Sequence, residues 1–333
     1  MKITSIHLFI VFLATIFALA GIVHGLTLNL TIATNKQTYN TLEQVLITGN
    51  LTTDGLPVSD ALVAVEVDNP KNQAFAIRTL PTGPDTTGPW NVEILGVTPC
   101  DSAGNPKYVF PSGGNAGFKV ALKNNMANSY EVIITLSIFY ANSAPFATFI
   151  PFRGSLDPGQ TIIIMKWPVP IPDDAIVGEA MVFANAYNKL PKNGGLPYCP
   201  EAAAAFNITG TSSTFINTNL TSEETPLEGT FNLTIALFPM KIYLGNYTIY
   251  ACTRRQLQIA SVKSTFQVTL LGDLYVDGKI DMKDIAIVAK AFGTTPDDPN
   301  WRPEADLNPN GKIDMKDIAI VAKAFGTESV IDP

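Results

Sequence analysis

Apolar residues recur at every second position through much of this chain. Leu26, Leu28, Leu30 and Ile32 alternate with Thr27, Asn29 and Thr31, the period-two pattern of a strand with one buried face. Residues 44–49 and 61–67 are further strand candidates, and Asp54-Gly55 marks a tight turn between them. Residues 117–123, 130–140, 160–166, 179–188, 229–237, 245–251 and 264–270 also read as strands, separated by turns bearing glycine and proline. Many short strands of this kind predict β-sandwiches. The pattern changes near the C-terminal end. Ile285, Val288, Ala289 and Phe292 fall at i, i+3, i+4 and i+7, and Ile318, Val321, Ala322 and Phe325 repeat the spacing. Each set predicts a short helix with one apolar face. Gly293 and Gly326 suit the helix stops, with Lys290 and Lys323 in the last turns.

Spacing divides the β region. A sandwich takes about 100 residues. Residues 26–80 and 210–270 are each about half of that, whereas 90–209 is a full domain. The economical arrangement is one discontinuous sandwich, 26–85 plus 211–270, with a second, 90–210, inserted through a surface loop. Three consecutive small domains are the alternative. Gln37-Thr38-Tyr39-Asn40, then 45–51, then Gly55-Leu56-Pro57-Val58 resemble the immunoglobulin-like or macroglobulin-like sandwiches of secreted microbial proteins. Such domains typically end on a Gly-x-Tyr strand and a Phe-x-Val strand. Gly245-Asn246-Tyr247 and Phe266-Gln267-Val268 match that ending, which supports the split arrangement. The resemblance speaks to fold and not to function.

The N-terminus changes the chemistry that is available. Met1-Lys2 and an apolar run from about His7 to Val23 read as a secretory signal peptide over residues 1–25, cleaved after Ala20 or Gly25. An uncleaved anchor is the alternative reading. The only two histidines, His7 and His24, lie in or at the edge of this segment. A chain without it has no histidine, which excludes Ser-His-Asp and Cys-His catalysis and His-ligated zinc. Secretion permits a disulfide, and Cys100 and Cys199, near the two ends of the central segment, are the expected pair. Cys252 is expected to be a buried thiol. Six sequons, at Asn29, Asn50, Asn207, Asn219, Asn232 and Asn246, each carry Thr at the third position and permit N-glycosylation. The net charge of −7 argues against a nucleic-acid partner, which requires a basic footprint.

The most specific signal is a repeat. Residues 278–294 and 311–327 both read GKIDMKDIAIVAKAFGT, a duplicated supersecondary unit. Before the second copy, Asp306, Asn308, Asn310, Gly311, Lys312, Asp314 and Asp317 occupy positions 1, 3, 5, 6, 7, 9 and 12 of a twelve-residue calcium loop. Side-chain oxygens at 1, 3 and 5, the Lys312 carbonyl, Asp314 through water, and Asp317 would complete a sphere of hard oxygen donors. Ile313 should pair with Ile280 across a pseudo-twofold axis. The first copy offers Asp273, Asp277, Lys279 through its carbonyl, Asp281 and Asp284, but has Tyr275 at position 3. A phenol is a poor calcium ligand, so this loop is expected to bind weakly or not at all.

A loop with one exiting helix, twice, resembles the dockerin module, over about residues 271–327. The resemblance implies Ca2+ as cofactor, an α-helical EF-hand pair at 271–333, and docking to a cohesin-like or other surface protein. Positions 10 and 11, which contact cohesin in the best-known dockerins, are Met282-Lys283 and Met315-Lys316 here, without the usual small hydroxyl residues. The expectation is therefore a mainly β, secreted or cell-surface, non-catalytic protein whose sandwiches display or bind a ligand and whose C-terminal module docks. The alternatives are a polysaccharide hydrolase, with Asp157, Asp173, Asp174 and Glu179 as candidate acids, and a carbohydrate-binding protein using Trp90, Trp167 or Trp301.

Overall fold

The computed structural model describes residues 27–41, 43–84, 86–210, 227–237 and 242–326. The expected signal segment, Asn219 and the junction at 211–214 lie outside these residues. The chain is mainly β. Six strands come first: β1 (Leu28–Thr34), β2 (Thr38–Asn40), β3 (Gln44–Thr53), β4 (Leu56–Pro57), β5 (Leu62–Asp68) and β6 (Ala74–Pro81). Eight follow: β7 (Val92–Cys100), β8 (Val109–Pro111), β9 (Asn115–Asn124), β10 (Tyr130–Tyr140), β11 (Pro145–Leu156), β12 (Thr161–Pro170), β13 (Gly178–Tyr187) and β14 (Ala202–Thr209). Then come β15 (Thr230–Ala236), β16 (Gly245–Arg255), β17 (Gln258–Thr269) and the helices α1 (Met282–Lys290) and α2 (Met315–Lys323). No helix among the described residues is long and apolar enough to cross a membrane.

Strands from both ends of the β region share sheets. β15 returns to pair with β3, Thr230 opposite Asn50, and β16 pairs with β5. The resulting sheets, β1-β3-β15 and β2-β17-β16-β5-β6, bury one core that includes Val45, Ile47, Val63, Val65, Leu233 and Tyr247. Along β3 every second residue from Val45 to Thr53 is buried, as a half-buried strand requires. Asp54 (φ 50°) and Gly55 (φ 81°) are both left-handed, the backbone of a tight β3–β4 hairpin turn. The intervening strands form two other sheets, β12-β9-β7 and β11-β10-β13-β14-β8, around a separate core containing Phe118, Leu122, Leu136, Val182 and Phe206.

The two cores are joined at β6. An end strand presents unpaired backbone groups that must be covered, and here side chains of the intervening segment cover them. Ser137 Oγ accepts from Ile77 N–H (2.9 Å) and donates to Ile77 C=O (2.9 Å). Thr148 donates to Phe75 C=O (2.9 Å), and Glu201 accepts from Thr79 N–H (3.1 Å). The Arg78 guanidinium is almost wholly buried. It meets Glu201 at 2.6–3.0 Å and lies over the Phe183 ring, 3.5 Å from its centroid.

The sequence pattern missed seven strands: the very short β2, β4 and β8, and β6, β7, β11 and β14, these four each for a local reason. β6 carries the buried Arg78 in its middle. β7 has a register shift between Ile94 and Gly96. β11 contains Pro145 and Pro151, tolerated because it is an end strand. β14 begins with four alanines, a poor strand signal.

The expected Cys100–Cys199 disulfide is not formed; all three cysteines are free and buried. Cys199 Sγ accepts from Ile94 N–H (3.4 Å), whereas Cys100 lies six residues further along the same strand, about 20 Å away at strand rise. Disulfide Cα atoms stand at most about 7 Å apart. Trp90 and Tyr198 do line one cavity, so the ends of the segment meet, but Cys100 is carried to the far end of β7. Burial pushes the Cys199 thiol up to about 12 and the Cys252 thiol up to about 11. Cys252 lies in β16, its Sγ 3.2 Å from Pro191 C=O. Asn29, Asn50, Asn207, Asn232 and Asn246 are all exposed on strands.

A second polar joint places two buried carboxylates around one ammonium. Lys192 N–H donates to Glu66 Oε2 (2.9 Å), and Lys192 Nζ lies 3.1 Å from Asp68 Oδ2 and 3.3 Å from Glu66 Oε1. Glu66 Oε1 and Asp68 Oδ1 are buried without a hydrogen-bond partner. Burial, opposed by the Lys192 N–H and reinforced by the Asp68 charge, pushes the Glu66 carboxyl up to about 7. Tyr187 and Cys252, both buried, also feel its charge. Between 4.5, its ordinary value, and about 7, the folded state holds a proton that the unfolded chain has lost. This carboxyl's contribution to stability therefore falls as pH rises through that window. Thermal unfolding at pH 5.5 and 7.5 checks this. Glu66→Gln should remove part of the loss in Tm between the two pH values; a variant with the wild-type pH slope would contradict it.

Candidate metal centre

Both helices begin the same way because their sequences are the same. Asp281 accepts from Lys283 N–H (2.7 Å), and Asp284 Oδ2 accepts from Asp281 N–H (2.8 Å). Asp314 and Asp317 repeat this with Lys316 N–H and Asp314 N–H, at 2.8 Å each. These are capping boxes, in which two otherwise orphaned amides are satisfied reciprocally. Asp284 and Asp317 are fully buried, and each extends its other oxygen back to the loop. Asp284 Oδ1 accepts from Leu274 N–H (2.8 Å) and Tyr275 N–H (2.9 Å). Asp317 Oδ1 accepts from Asn308 N–H (2.8 Å). At the head of each loop, Asp273 accepts from the Asp277 and Gly278 amides (3.1 and 2.9 Å). Asp306 likewise accepts from those of Asn310 and Gly311 (3.2 and 2.9 Å). Gly278 (φ 79°) and Gly311 (φ 76°) are left-handed, the turn that wraps such a loop.

The two units cross-link each other. Gly293 N–H donates to Ile313 C=O (2.8 Å), and Gly326 N–H to Ile280 C=O (2.9 Å). Ile280 and Ile313 share a core with Val288, Val321 and Ala305, but their carbonyls serve the glycines that end the opposite unit's helix. The buried helix face also differs from the expected one. Asp284 and Val288 are buried on α1, and Asp317 and Val321 on α2. Ala289 and Ala322 are exposed, Phe292 is 48% exposed and Phe325 51%. The cap aspartates turn inward to hold the loops, which rotates each helix. Met282, Ala286, Ala289 and Phe292 are left as an outward apolar stripe, with Met315, Ala319, Ala322 and Phe325 as its copy.

The loops differ in the donors they offer. The second brings Asp306, Asn308, Asn310, Asp314 and Asp317 onto one loop with the Lys312 carbonyl, a set of hard oxygens of the number that calcium takes. Asn310 Oδ1 accepts from Lys312 N–H (2.8 Å). Among the described residues no three Asp, Glu, His or Cys side chains converge closely enough to hold a metal alone; a full set of donors in this loop would include its two amides and a carbonyl. The first loop brings Asp273, Asp277, Asp281, Asp284 and the Lys279 carbonyl, but Tyr275 stands where Asn308 stands in the second. Lys283 Nζ lies 2.7 Å from Asp277 Oδ2 and 4.6 Å from the Tyr275 ring centroid. The hydrogen bond with Lys283 holds the Asp277 carboxyl below its ordinary range and raises the lysine. Sequence spacing did not reveal this pairing, although Lys283 lies six residues after Asp277, where the helix begins.

Asp157, Asp173, Asp174 and Glu179 are exposed. Asp174 lines a small cavity with Phe75, Tyr140 and Phe146, and it is the one acid there. Trp90 packs against the core of the intervening strands and Trp301 against that of the helical module. Trp167 lies on β12, its ring across Gly117.

Residues 271–326 match the family described as the dockerin type I domain, so the C-terminal module is a dockerin type I domain. Domains of this family bind calcium. No curated protein matches the chain. Among solved structures, the chain is similar to a type II cohesin–X–dockerin complex from Acetivibrio cellulolyticus, at 27% identity over 30% of this chain and 71% of that one (TM-score 0.18). It is also similar to the alkylpurine DNA glycosylase AlkC of Pseudomonas fluorescens, at 15% identity over 36% of this chain and 31% of that one (TM-score 0.29). The β-glucuronidase of Bacteroides uniformis aligns at 9% identity over 51% of this chain and 26% of that one (TM-score 0.28). The chain spans less than a third of either enzyme, and overlaps this low carry no argument about activity.

The donor sets predict an order of effect. Calcium at about fifty times its Kd should stabilise the folded module by about 2 kcal/mol, seen as a rise in Tm on adding calcium. Asp306→Ala should abolish most of that rise and Asp273→Ala little of it. The reverse ranking would contradict the assignment.

Proposed function

We propose that this chain is a secreted or cell-surface protein without catalytic activity, which displays or binds a ligand through two immunoglobulin-like β-sandwiches and docks through its calcium-binding C-terminal module. Residues 26–85 and 211–270 form the discontinuous sandwich and 90–210 the inserted one; the pairings of β15 with β3 and β16 with β5 support this division. Asp306, Asn308, Asn310, Lys312, Asp314 and Asp317 are the proposed calcium ligands, through four side chains, the Lys312 carbonyl and, for Asp314, a bridging water. Calcium binding couples to the order of the loop, because the ligands converge only when it is folded.

The observation that carries the docking role is the pair of identical apolar stripes. Met282 and Met315 are 65% and 64% exposed, and each leads a line of small residues to a half-exposed phenylalanine. Methionine adapts to varied partner surfaces, and the adjacent Lys316 adds charge to the stripe on α2. The partner proposed is a cohesin-like or other surface protein; the similar Acetivibrio cellulolyticus complex joins a dockerin to a type II cohesin. Two equivalent stripes permit binding in two reversed orientations.

The test is capture by the immobilised chain from the surface fraction of the producing cell, in millimolar calcium and in EDTA. A protein should be retained only in calcium and lost with the double variant Met282→Glu/Met315→Glu, while either single variant keeps most of it. Capture indifferent to both calcium and the double variant would refute the docking role.

A further inference from the structure

The two loops precede identical helices and yet treat the same lysine differently. Lys283 reaches back to Asp277 at 2.7 Å and lies over the Tyr275 ring at 4.6 Å. Its repeat counterpart Lys316 has no ion pair among the described residues, and the position equivalent to Asp277 is Asn310, an amide without charge. The first loop carries four carboxylates, Asp273, Asp277, Asp281 and Asp284; the second carries three, Asp306, Asp314 and Asp317. The surplus negative charge of the first loop is thus matched by an ammonium supplied from its own helix.

The closing carboxylates differ in the same sense. Asp284 accepts from three backbone amides, those of Leu274, Tyr275 and Asp281, whereas Asp317 accepts from two, those of Asn308 and Asp314. The first loop has therefore spent more of its closing ligand on its own backbone, offers no donor at position 3 and has its position-5 carboxylate engaged by a lysine. It does not fit calcium.

We propose that the module takes a single calcium ion, in the second loop, and that Lys283 is the built-in cation that closes the first loop in its place. The duplicated unit is then divided between one loop that depends on external calcium and one that keeps its form without it. This inference rests on the calcium reading above.

Calorimetric titration of the full chain with calcium chloride tests it. The wild type should bind one ion, and Asp317→Ala should lose it. Tyr275→Asn/Lys283→Ala should bind two, because it restores a position-3 donor and frees Asp277. Two ions of similar affinity in the wild type, or one in the double variant, would overturn this inference and leave the docking role standing. No binding by the wild type would overturn the calcium reading itself. A second measurement needs no calcium: in EDTA, Lys283→Ala should lower the Tm of the helical module while Lys316→Ala leaves it unchanged. Equal effects of the two substitutions would count against Lys283 as the closing cation.

Discussion

The C-terminal module depends on where two carboxylates point. Asp284 and Asp317 sit in the first turns of their helices, fully buried, where an ionised side chain is costly unless its oxygens are occupied. Backbone amides occupy them. One oxygen satisfies the helix start and the other draws the loop back onto the helix, so one residue fixes both the cap and the last ligand position. This also explains why the helices turn away from the face that their apolar spacing predicts. With the aspartates inward, Met282, Phe292 and their copies are left at the surface, and the module acquires a contact face as a by-product of holding its loops.

The β region is organised by a related problem, the exposed edge of β6. Its backbone groups are met by Ser137, Thr148 and Glu201, side chains more than fifty residues away in the chain. Arg78 and Lys192 bring charge into the same junction, where each is held by carboxylates. A joint built from buried polar groups is specific, because any shift leaves them unpaired. It holds the two β cores in one arrangement and gives the chain its titratable element, Glu66.

The alternating strands and the spacing of the calcium loops are legible in the amino-acid order itself. The ten strands read from the sequence are all present; β3 alternates because one face is buried, whereas β5 is buried along its whole length. Strands such as β6 and β14 are silent because their residues answer to distant partners or to alanine packing. The disulfide expectation fails for a geometric reason that spacing does not encode: Cys199 meets β7 at Ile94, six residues from Cys100. In the module, Tyr275 announces a weak loop, but the lysine that fills the role of an ion is hidden. The repeat is identical at Lys283 and Lys316, and the difference lies at the fifth loop position, Asp277 against Asn310.

The central claim is that calcium entering the second loop organises the module. Amide NMR of the isotopically labelled full chain during calcium addition tests it most directly, because the Gly311 N–H bonds to Asp306 Oδ2 at 2.9 Å and must respond when that carboxylate takes a metal. A large, saturable shift of the Gly311 amide, with Gly278 nearly still, is the predicted result. If neither glycine moves at millimolar calcium, the account is wrong.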